Sequence, residues 1–234
     1  MRLLVFQHTP GEHPAAFADH AAAAGDDLTI VHLYRGDPFP EFTDYDALLV
    51  MGGPMDVWEV EAHPWLVPEK AAIADWVRSG RPFLGVCLGH QLMVEALGGT
   101  CAKLAVPEIS VSEIWCIAPD PIFDRLPRHF PVMKWHGVAA DRLPDGANVL
   151  ASSENCPVQA IRFGDCAWGV QFHPEVTPSV IDDWMGDAAN RACAVDWLGG
   201  VEAADRFAAE SADHVPAAME QSRALYAGLR AVCG

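Results

Sequence analysis

The chain has 234 residues, of which 51% are hydrophobic and 20% are charged, so a substantial core is available and global disorder is excluded. This length suits one large domain. The formal net charge of −17 argues against partners with phosphate backbones or anionic membrane surfaces, so we expect neither nucleic acid nor a membrane to be bound.

The N-terminus and the cysteines indicate a cytoplasmic protein. Residues 1–6 are too short an apolar stretch for a signal peptide, and no apolar run of the chain reaches the length of a membrane span. The seven cysteines are an odd number and form no CxxC pairs, which argues against a disulfide framework and against a zinc site. We therefore expect a reduced, cytoplasmic chain without a bound metal.

Strand-like and helix-like segments alternate through the first part of the chain. Buried-strand patterns occur at 2–7, 28–33 and 45–51, and helical spacing occurs at 15–24 and 65–79. This alternation predicts an α/β fold with a mainly parallel sheet and helices on both faces. Binding sites in such sheets lie beyond the carboxyl ends of the strands.

The pattern changes after Thr100. Short strand-like runs separated by turn-forming residues predict antiparallel strands added to the parallel sheet. Beyond residue 178 the sequence becomes helical, and 201–232 is long enough for one or two terminal helices. We predict a single domain over 1–234, in which 178–234 form a C-terminal helical extension that covers the fold. The short strand-like runs are 109–117, 130–135, 148–152, 158–163 and 168–172.

The strongest functional signal lies in the stretch 82–92. An apolar strand ends at Gly85-Val86, Cys87 follows, and a helical pattern then runs to a stop at Gly98. A reactive residue between glycines at a strand–helix turn is typical of a nucleophile elbow, because Cβ atoms two residues before and after it would collide. The helix N-terminus also favours the thiolate form. The alternative is that Cys87 is a buried core cysteine. That interpretation is the better one for an isolated cysteine, but not for a cysteine between glycines at a strand–helix turn.

A cysteine nucleophile needs a base and a group that orients the base. The chain has ten histidines, but His173 stands out because it follows a strand-like run and precedes Pro174, which favours extended backbone. In extended backbone residues i and i+2 project to the same side, so Glu175 is predicted beside His173. Taken alone, this tripeptide suits a surface turn. Together with the cysteine turn, it indicates a base and its orienting carboxylate.

The segment Gly52-Gly53-Pro54 follows another predicted strand. Glycines let the backbone approach a substrate closely, and the Gly53 N–H is positioned to join the Leu88 N–H in an oxyanion hole. An ordinary turn at the end of a strand explains this segment by itself equally well.

These three segments together resemble the signatures of class I glutamine amidotransferases, in the order and spacing of that family. The stretch 134–175 is similar to free-standing members related to the glutaminase domain of GMP synthase. The resemblance implies a flavodoxin-like α/β fold and hydrolysis of the γ-amide of glutamine through a γ-glutamyl thioester, with release of ammonia and without a cofactor. The signature segments are 52–54, 85–91 and 172–175.

The resemblance also implies a role for each residue that matches the family pattern. It implies a Cys-His-Glu triad, two N–H groups in an oxyanion hole and two side chains near the substrate. The residues are Cys87 as nucleophile, His173 as base and then acid, Glu175 as orienting carboxylate, Gly53 and Leu88 at the oxyanion hole, and Gln91 and His136 at the substrate.

The segments indicate a hydrolytic site but do not name its physiological substrate. A glutaminase would pass ammonia to a synthetase partner, since no phosphate-binding GxxxxGK[S/T] loop occurs in the sequence. A free-standing hydrolase of γ-glutamyl peptides or γ-glutamyl amines would use the same triad. The third alternative is a binding or regulatory protein without activity, and the complete triad argues against it.

Overall fold

The computed structural model describes residues 1–233. They form a mixed nine-stranded sheet with helices packed against it. The strands are β1 (Arg2–Gln7), β2 (Asp27–His32), β3 (Ala47–Val50), β4 (Phe83–Val86), β5 (Thr100–Cys116), β6 (His129–Arg142), β7 (Ala147–Ser152), β8 (Ala160–Phe163) and β9 (Ala167–Val170), and the helices are α1 (Ala15–Ala24), α2 (Leu66–Arg78), α3 (Leu88–Ala96), α4 (Pro178–Gly186), α5 (Ala188–Leu198) and α6 (Val201–Ala231).

The strand order is β2-β1-β3-β4-β9-β8-β7-β5-β6. The first five strands of this order are parallel, and the pairings from β9 through β6 are antiparallel. The predicted α/β class with added antiparallel strands is confirmed. One strand differs from the prediction, because β9 returns to the centre of the sheet and is parallel to β4 as well as antiparallel to β8.

Alternating side chains of the parallel strands build two cores, one on each face of the sheet. Leu3 and Val5 of β1 pack in a cluster with residues of α1 and α6. Leu4 and Phe6 point to the opposite face and pack with residues of α2 and α3. This arrangement follows from the two-residue period of a strand and explains why the parallel strands are apolar throughout.

The antiparallel strands of the second half are longer than the sequence patterns suggested, and the terminal segment takes one of its two predicted forms. Strands β5 and β6 form a long antiparallel ribbon whose register shifts between Lys103 and Glu108. Pro107 lies in this irregular segment, where its missing N–H costs no ladder hydrogen bond. The terminal segment is a single helix, α6, which continues through Pro216. Within the described part of the chain, no helix is both long and apolar enough to cross a membrane.

The topology brings the three signature segments to one edge of the sheet. Strands β3, β4 and β9 are neighbours, and all three run in the same direction. Gly52 follows β3, Cys87 follows β4 and His173 follows β9, so the segments meet beyond the carboxyl ends of adjacent strands.

Candidate active site

Cys87 lies on the turn between β4 and α3, with φ 50° and ψ −104°. Positive φ is strained for a residue with a Cβ atom, and such strain is typical of a nucleophile elbow. The Cys87 N–H donates to the Val170 carbonyl at 2.8 Å, so β9 helps to hold the turn. The thiol is buried at the inner end of a cavity that His173 also lines.

The glycines that flank Cys87 allow close backbone contacts. A Cβ atom on Gly85 would lie 2.5 Å from the carbonyl carbon of Gly89, which confirms the predicted collision across the turn. A Cβ atom on Gly89 would lie 2.2 Å from the backbone oxygen of Val50 in β3. The start of α3 therefore packs directly on the strand backbone.

Gly89→Ala is expected to lower the free energy of unfolding by about 3 kcal/mol, because the new methyl group meets backbone that cannot rotate away. The matched control is Gly186→Ala, where a Cβ atom would have no neighbour within 4 Å. The control should leave the free energy unchanged or raise it by up to about 1 kcal/mol. Urea denaturation of both variants measures the difference, and equal midpoints would contradict the packing argument.

His173 and Glu175 form a buried pair next to the turn. The His173 Nδ1 lies 2.7 Å from the Glu175 Oε1, and both residues are at most 2% exposed. The His173 N–H donates to the Met133 carbonyl at 2.9 Å, which ties the segment to β6. The carboxylate therefore holds the imidazole in one orientation, with Nδ1 protonated.

The charges around His173 favour its imidazolium form. Burial lowers the pKa of His173, but Glu175 and Cys87 raise it by more, and the pKa lies well above its usual value. Gln171 adds a contact on the sulfur side, since its Nε2 lies 3.6 Å from the Cys87 Sγ. A cysteine beside a protonated histidine is the arrangement that activates a thiol for attack.

Gly53 and Leu88 lie next to each other at the same end of the sheet. A Cβ atom on Gly53 would lie 2.7 Å from the Leu88 Cδ2, and Leu88 begins α3, where the first N–H groups lack partners inside the helix. The preceding carbonyl, that of Gly52, accepts a hydrogen bond of 2.8 Å from the His8 Nδ1, and the His8 Nε2 lies 2.8 Å from Glu69 Oε1. This buried pair fixes the orientation of the glycine segment.

Gln91 and His136 lie on one wall of the cavity, joined through a shared acceptor. The Gln91 Nε2 and the His136 Nδ1 donate to the Val138 carbonyl at 2.9 Å and 3.1 Å. The His136 Nε2 lies 3.1 Å from Glu108 Oε2. Both ring nitrogens of His136 therefore face protein acceptors, and the residue presents its ring rather than a free nitrogen to the cavity.

Glu108 is the centre of a buried polar network behind this wall. It accepts hydrogen bonds from Lys134 at 3.2 Å, Ser153 at 2.8 Å and Gln159 at 2.6 Å. Burial raises the pKa of Glu108, but the hydrogen bond from His136 and the Lys134 charge outweigh it and lower the pKa to about 2. The ionised, fully bonded carboxylate holds the segment of β6 that lines the cavity.

Two groups of side chains are close enough to share a metal ion, with ligand atoms within 4.8 Å of one another. In the first group the carboxylate and the imidazole already bond to each other and to further protein groups. In the second, the His-Glu pair is also mutually bonded. These engaged ligands suit a polar network better than a metal site, and the expectation of a metal-free site stays a prediction. The groups are Glu108, His136 and Cys156, and Glu12, His173 and Glu175.

The cavity has a volume of about 530 Å³, and the C-terminal extension forms part of its wall. Trp184 of α4 packs against the His173 ring, with ring centroids 4.8 Å apart and planes at 79°. Asn190, Cys193 and Trp197 of α5 continue this wall. The extension therefore lines the site in addition to covering the fold.

Residues 17–186 match the family described as glutamine amidotransferase class-I. This match covers more than half of the chain and includes Cys87, His173 and Glu175. The chain belongs to this family. The resemblance seen in three short segments is thus confirmed over most of the domain.

Curated relatives of this chain include glutamine-hydrolysing GMP synthases. The protein from Thermomicrobium roseum is 36% identical over 172 residues, which cover 68% of this chain and 31% of the relative. A glutamine-hydrolysing GMP synthase subunit from Pyrococcus abyssi is 43% identical over 96 residues, which cover 41% of this chain and 51% of the relative. The matches therefore span about half or less of the length of these two relatives.

Solved structures share the fold of this chain over nearly its whole length. A glutamine amidotransferase from Thermotoga maritima aligns with a TM-score of 0.87 at 23% identity and covers 96% of each chain. A second, from Methylobacillus flagellatus, aligns with a TM-score of 0.87 at 25% identity and covers 98% of this chain and 94% of the other. Since the family match ends at residue 186, the similarity to these structures extends into α5 and α6.

Four residues around the site were not predicted from the sequence: Glu12, Glu108, Gln171 and Trp184. Gln171 directly follows β9, so its place at the carboxyl end of a strand could have indicated it. Glu12 follows β1, at the edge where sites are expected. Glu108 and Trp184 reach the site only through long-range packing, which leaves no local signal.

Proposed function

We propose that this chain hydrolyses the γ-amide of glutamine to glutamate and ammonia, with Cys87, His173 and Glu175 as the catalytic triad. The observation that supports this most directly is the thiol on a strained turn, in the same cavity as a buried His-Glu pair joined at 2.7 Å. Relatives named as glutamine-hydrolysing enzymes support a carboxamide as the bond that breaks.

In the first half of the reaction, His173 takes the thiol proton and the Cys87 sulfur attacks the γ-carbonyl carbon. The N–H groups of Gly53 and Leu88 stabilise the negative charge that develops on the carbonyl oxygen. His173 then donates its proton to the amide nitrogen, the C–N bond breaks, and ammonia leaves a γ-glutamyl thioester.

In the second half, His173 removes a proton from water, and the resulting nucleophile attacks the thioester carbonyl. The C–S bond breaks, the sulfur recovers its proton from the imidazolium, and glutamate leaves. Glu175 keeps the imidazole in the orientation that serves both halves. The proposed role of Gln91 and His136 is to shape the wall that holds the glutamyl part.

The direct test is a hydrolysis screen of the purified chain against glutamine and a panel of γ-glutamyl amides and peptides, with released ammonia or amine as the signal. Release from glutamine supports the proposal. A strong preference for larger leaving groups would support a γ-glutamyl hydrolase instead. No release across the panel from a folded sample would contradict hydrolytic function of the isolated chain.

We further propose that a synthetase partner in the cytoplasm receives the ammonia. A shielded path between the two sites is needed, because ammonia released into water is protonated and lost as a nucleophile. Relatives that are named as single subunits of GMP synthase support such a division of labour. All seven cysteines, at positions 87 to 233, are free thiols, which is compatible with a reducing compartment.

If a partner receives the ammonia, desalted extract of the source cells should raise the glutamine turnover of the purified chain several-fold. The same extract with the Cys87→Ser variant gives the background glutaminase activity to subtract. Without extract, added ATP should yield no new amide product. Equal turnover with and without extract would argue against a partner, and ATP-dependent amide formation by the chain alone would contradict this division.

A further inference from the structure

Glu12 is a carboxylate at the cavity that the triad does not use. It lies in the loop between β1 and α1 and lines the cavity with Cys87 and His173. Its Oε2 is enclosed and has no hydrogen-bond partner among residues 1–233. An enclosed carboxylate oxygen without a donor is costly. Glu12 is only partly buried and lines the cavity, so a ligand there can supply a donor to the carboxylate.

Two side chains from outside the loop that carries Glu12 hold it in place by hydrogen bonds. The Gln7 Nε2 donates to the carbonyls of Thr9 and Pro10 at 2.7 Å and 3.2 Å. The Trp184 Nε1 donates to the carbonyl of Gly11 at 2.9 Å. The carboxylate is therefore presented by a fixed loop, and the C-terminal extension contributes to its position.

Glu12 also packs beside the glycine segment and the catalytic imidazole. A Cβ atom on Gly52 would lie 2.3 Å from the Glu12 Oε2 and 3.2 Å from the His173 Cε1. Only glycine at position 52 leaves room for both side chains. The Glu12 carboxylate and the edge of the His173 ring therefore lie on the same side of Gly52.

Glu12 and the His173 ring lie close together at the cavity. A Glu12 oxygen, a His173 ring nitrogen and a Glu175 oxygen lie within 4.8 Å of one another. The leaving nitrogen must come within hydrogen-bond distance of His173 to be protonated. Because Nδ1 is bonded to Glu175, Nε2 must make this contact, and Glu12 lines the same cavity beside the ring.

The surrounding charges leave Glu12 able to accept hydrogen bonds in mildly alkaline solution. Burial raises the pKa of Glu12 to about 7, His173 and His8 act in the opposite direction, and Glu175 adds to the increase. At pH 8 the ionised form therefore predominates.

We infer that Glu12 accepts a hydrogen bond from the leaving nitrogen and thereby selects amides over esters. This inference rests on the proposed glutaminase function. The glutamine amide nitrogen carries two N–H groups, whereas an ester oxygen in the same place carries none and turns lone pairs toward the carboxylate. When the C–N bond breaks, its electron pair stays on nitrogen, His173 supplies the proton, and Glu12 takes none.

The test compares L-glutamine with L-glutamate γ-methyl ester, which have the same acyl part, at pH 8. Glu12→Met removes the charged acceptor at similar length, and kcat/KM for glutamine should fall about 10- to 100-fold, the size of one hydrogen bond to a charged group. The value for the ester should change less than about 3-fold, since it makes no such bond. The kcat/KM of Glu12→Gln for glutamine should lie between the values of wild type and Glu12→Met. Glu210→Met, at an exposed glutamate of α6, is the matched control.

Each outcome decides between the possible roles. Equal losses on both substrates would show that Glu12 acts only through His173 or the fold, and the inference would be wrong. Unchanged kcat/KM for glutamine in Glu12→Met would also overturn it. If Glu12→Met does not fold, Glu12→Gln serves as the test variant. Its ratio of kcat/KM for glutamine to kcat/KM for the ester should be lower than that of wild type, and an unchanged ratio would overturn the inference. Wild type that cleaves neither substrate overturns the proposed function itself, and the inference with it.

Discussion

Cys87→Ser should reduce glutamine turnover to background, a loss on the order of 10⁶-fold, as for removal of a triad nucleophile. A serine hydroxyl at this position is a far weaker nucleophile than a thiol that a neighbouring imidazolium and a helix N-terminus activate. The side chain is nearly the same size, so the strained turn and the surrounding core should keep their packing. Steady-state ammonia release and a denaturation midpoint measure the two effects separately.

Cys166→Ser is the matched control for this change, because Cys166 lies at the far end of β9 and contacts the Gly80 carbonyl rather than the cavity. It should keep turnover within a few-fold of wild type. A γ-glutamyl-directed electrophile should label Cys87, and peptide mass spectrometry identifies the site. Labelling of Cys193, the other thiol of the cavity, or near-normal turnover of Cys87→Ser would show that the nucleophile is assigned wrongly.

His173→Ala should lower kcat by more than Glu175→Gln. Loss of the base removes proton transfer to and from the substrate, a contribution of about 10²–10⁴-fold. Glu175 transfers no proton itself, and its amide replacement keeps a hydrogen-bonding partner near the 2.7 Å contact with His173. Steady-state rates of the two variants, measured with folded samples, give the order. If Glu175→Gln were the slower enzyme, the division of roles would be wrong.

Glu175→Gln should also change the pH dependence of kcat/KM. Burial lowers the pKa of His173, and the Glu175 carboxylate is the largest contribution that raises it. Without this charge the imidazolium loses its proton at lower pH, so the alkaline limb of the profile should move to lower pH. His173→Ala has no imidazole and should lose this limb altogether. An alkaline limb in the same place in Glu175→Gln and wild type would contradict the assignment.

Local sequence determined the parts of this site that depend on neighbours along the chain. The spacing of Gly85, Cys87 and Gly89 specified the turn, because its steric limits act within five residues. The sequence predicted the pair of His173 and Glu175 from extended backbone around Pro174. The structure confirms their contact but forms it across a turn at Pro174 and Glu175. Apolar residues also indicated the strands and helices of the parallel half. Each strand there is a largely apolar run, and each helix has apolar residues at helical spacing.

Only the tertiary structure determined which distant residues lie next to these local motifs. The position of β9 next to β4 puts His173 beside Cys87, although 86 residues separate them, and strand order is not encoded in any local pattern. The long ribbon of β5 and β6 depends on pairing across the sheet, and exposed positions interrupt its apolar pattern. Glu12 and Trp184 line the cavity, and Glu108 lies behind its wall. A third apolar cluster, which contains Ala15, Ile109 and Trp184, packs these separate elements together, and no short segment carries that information.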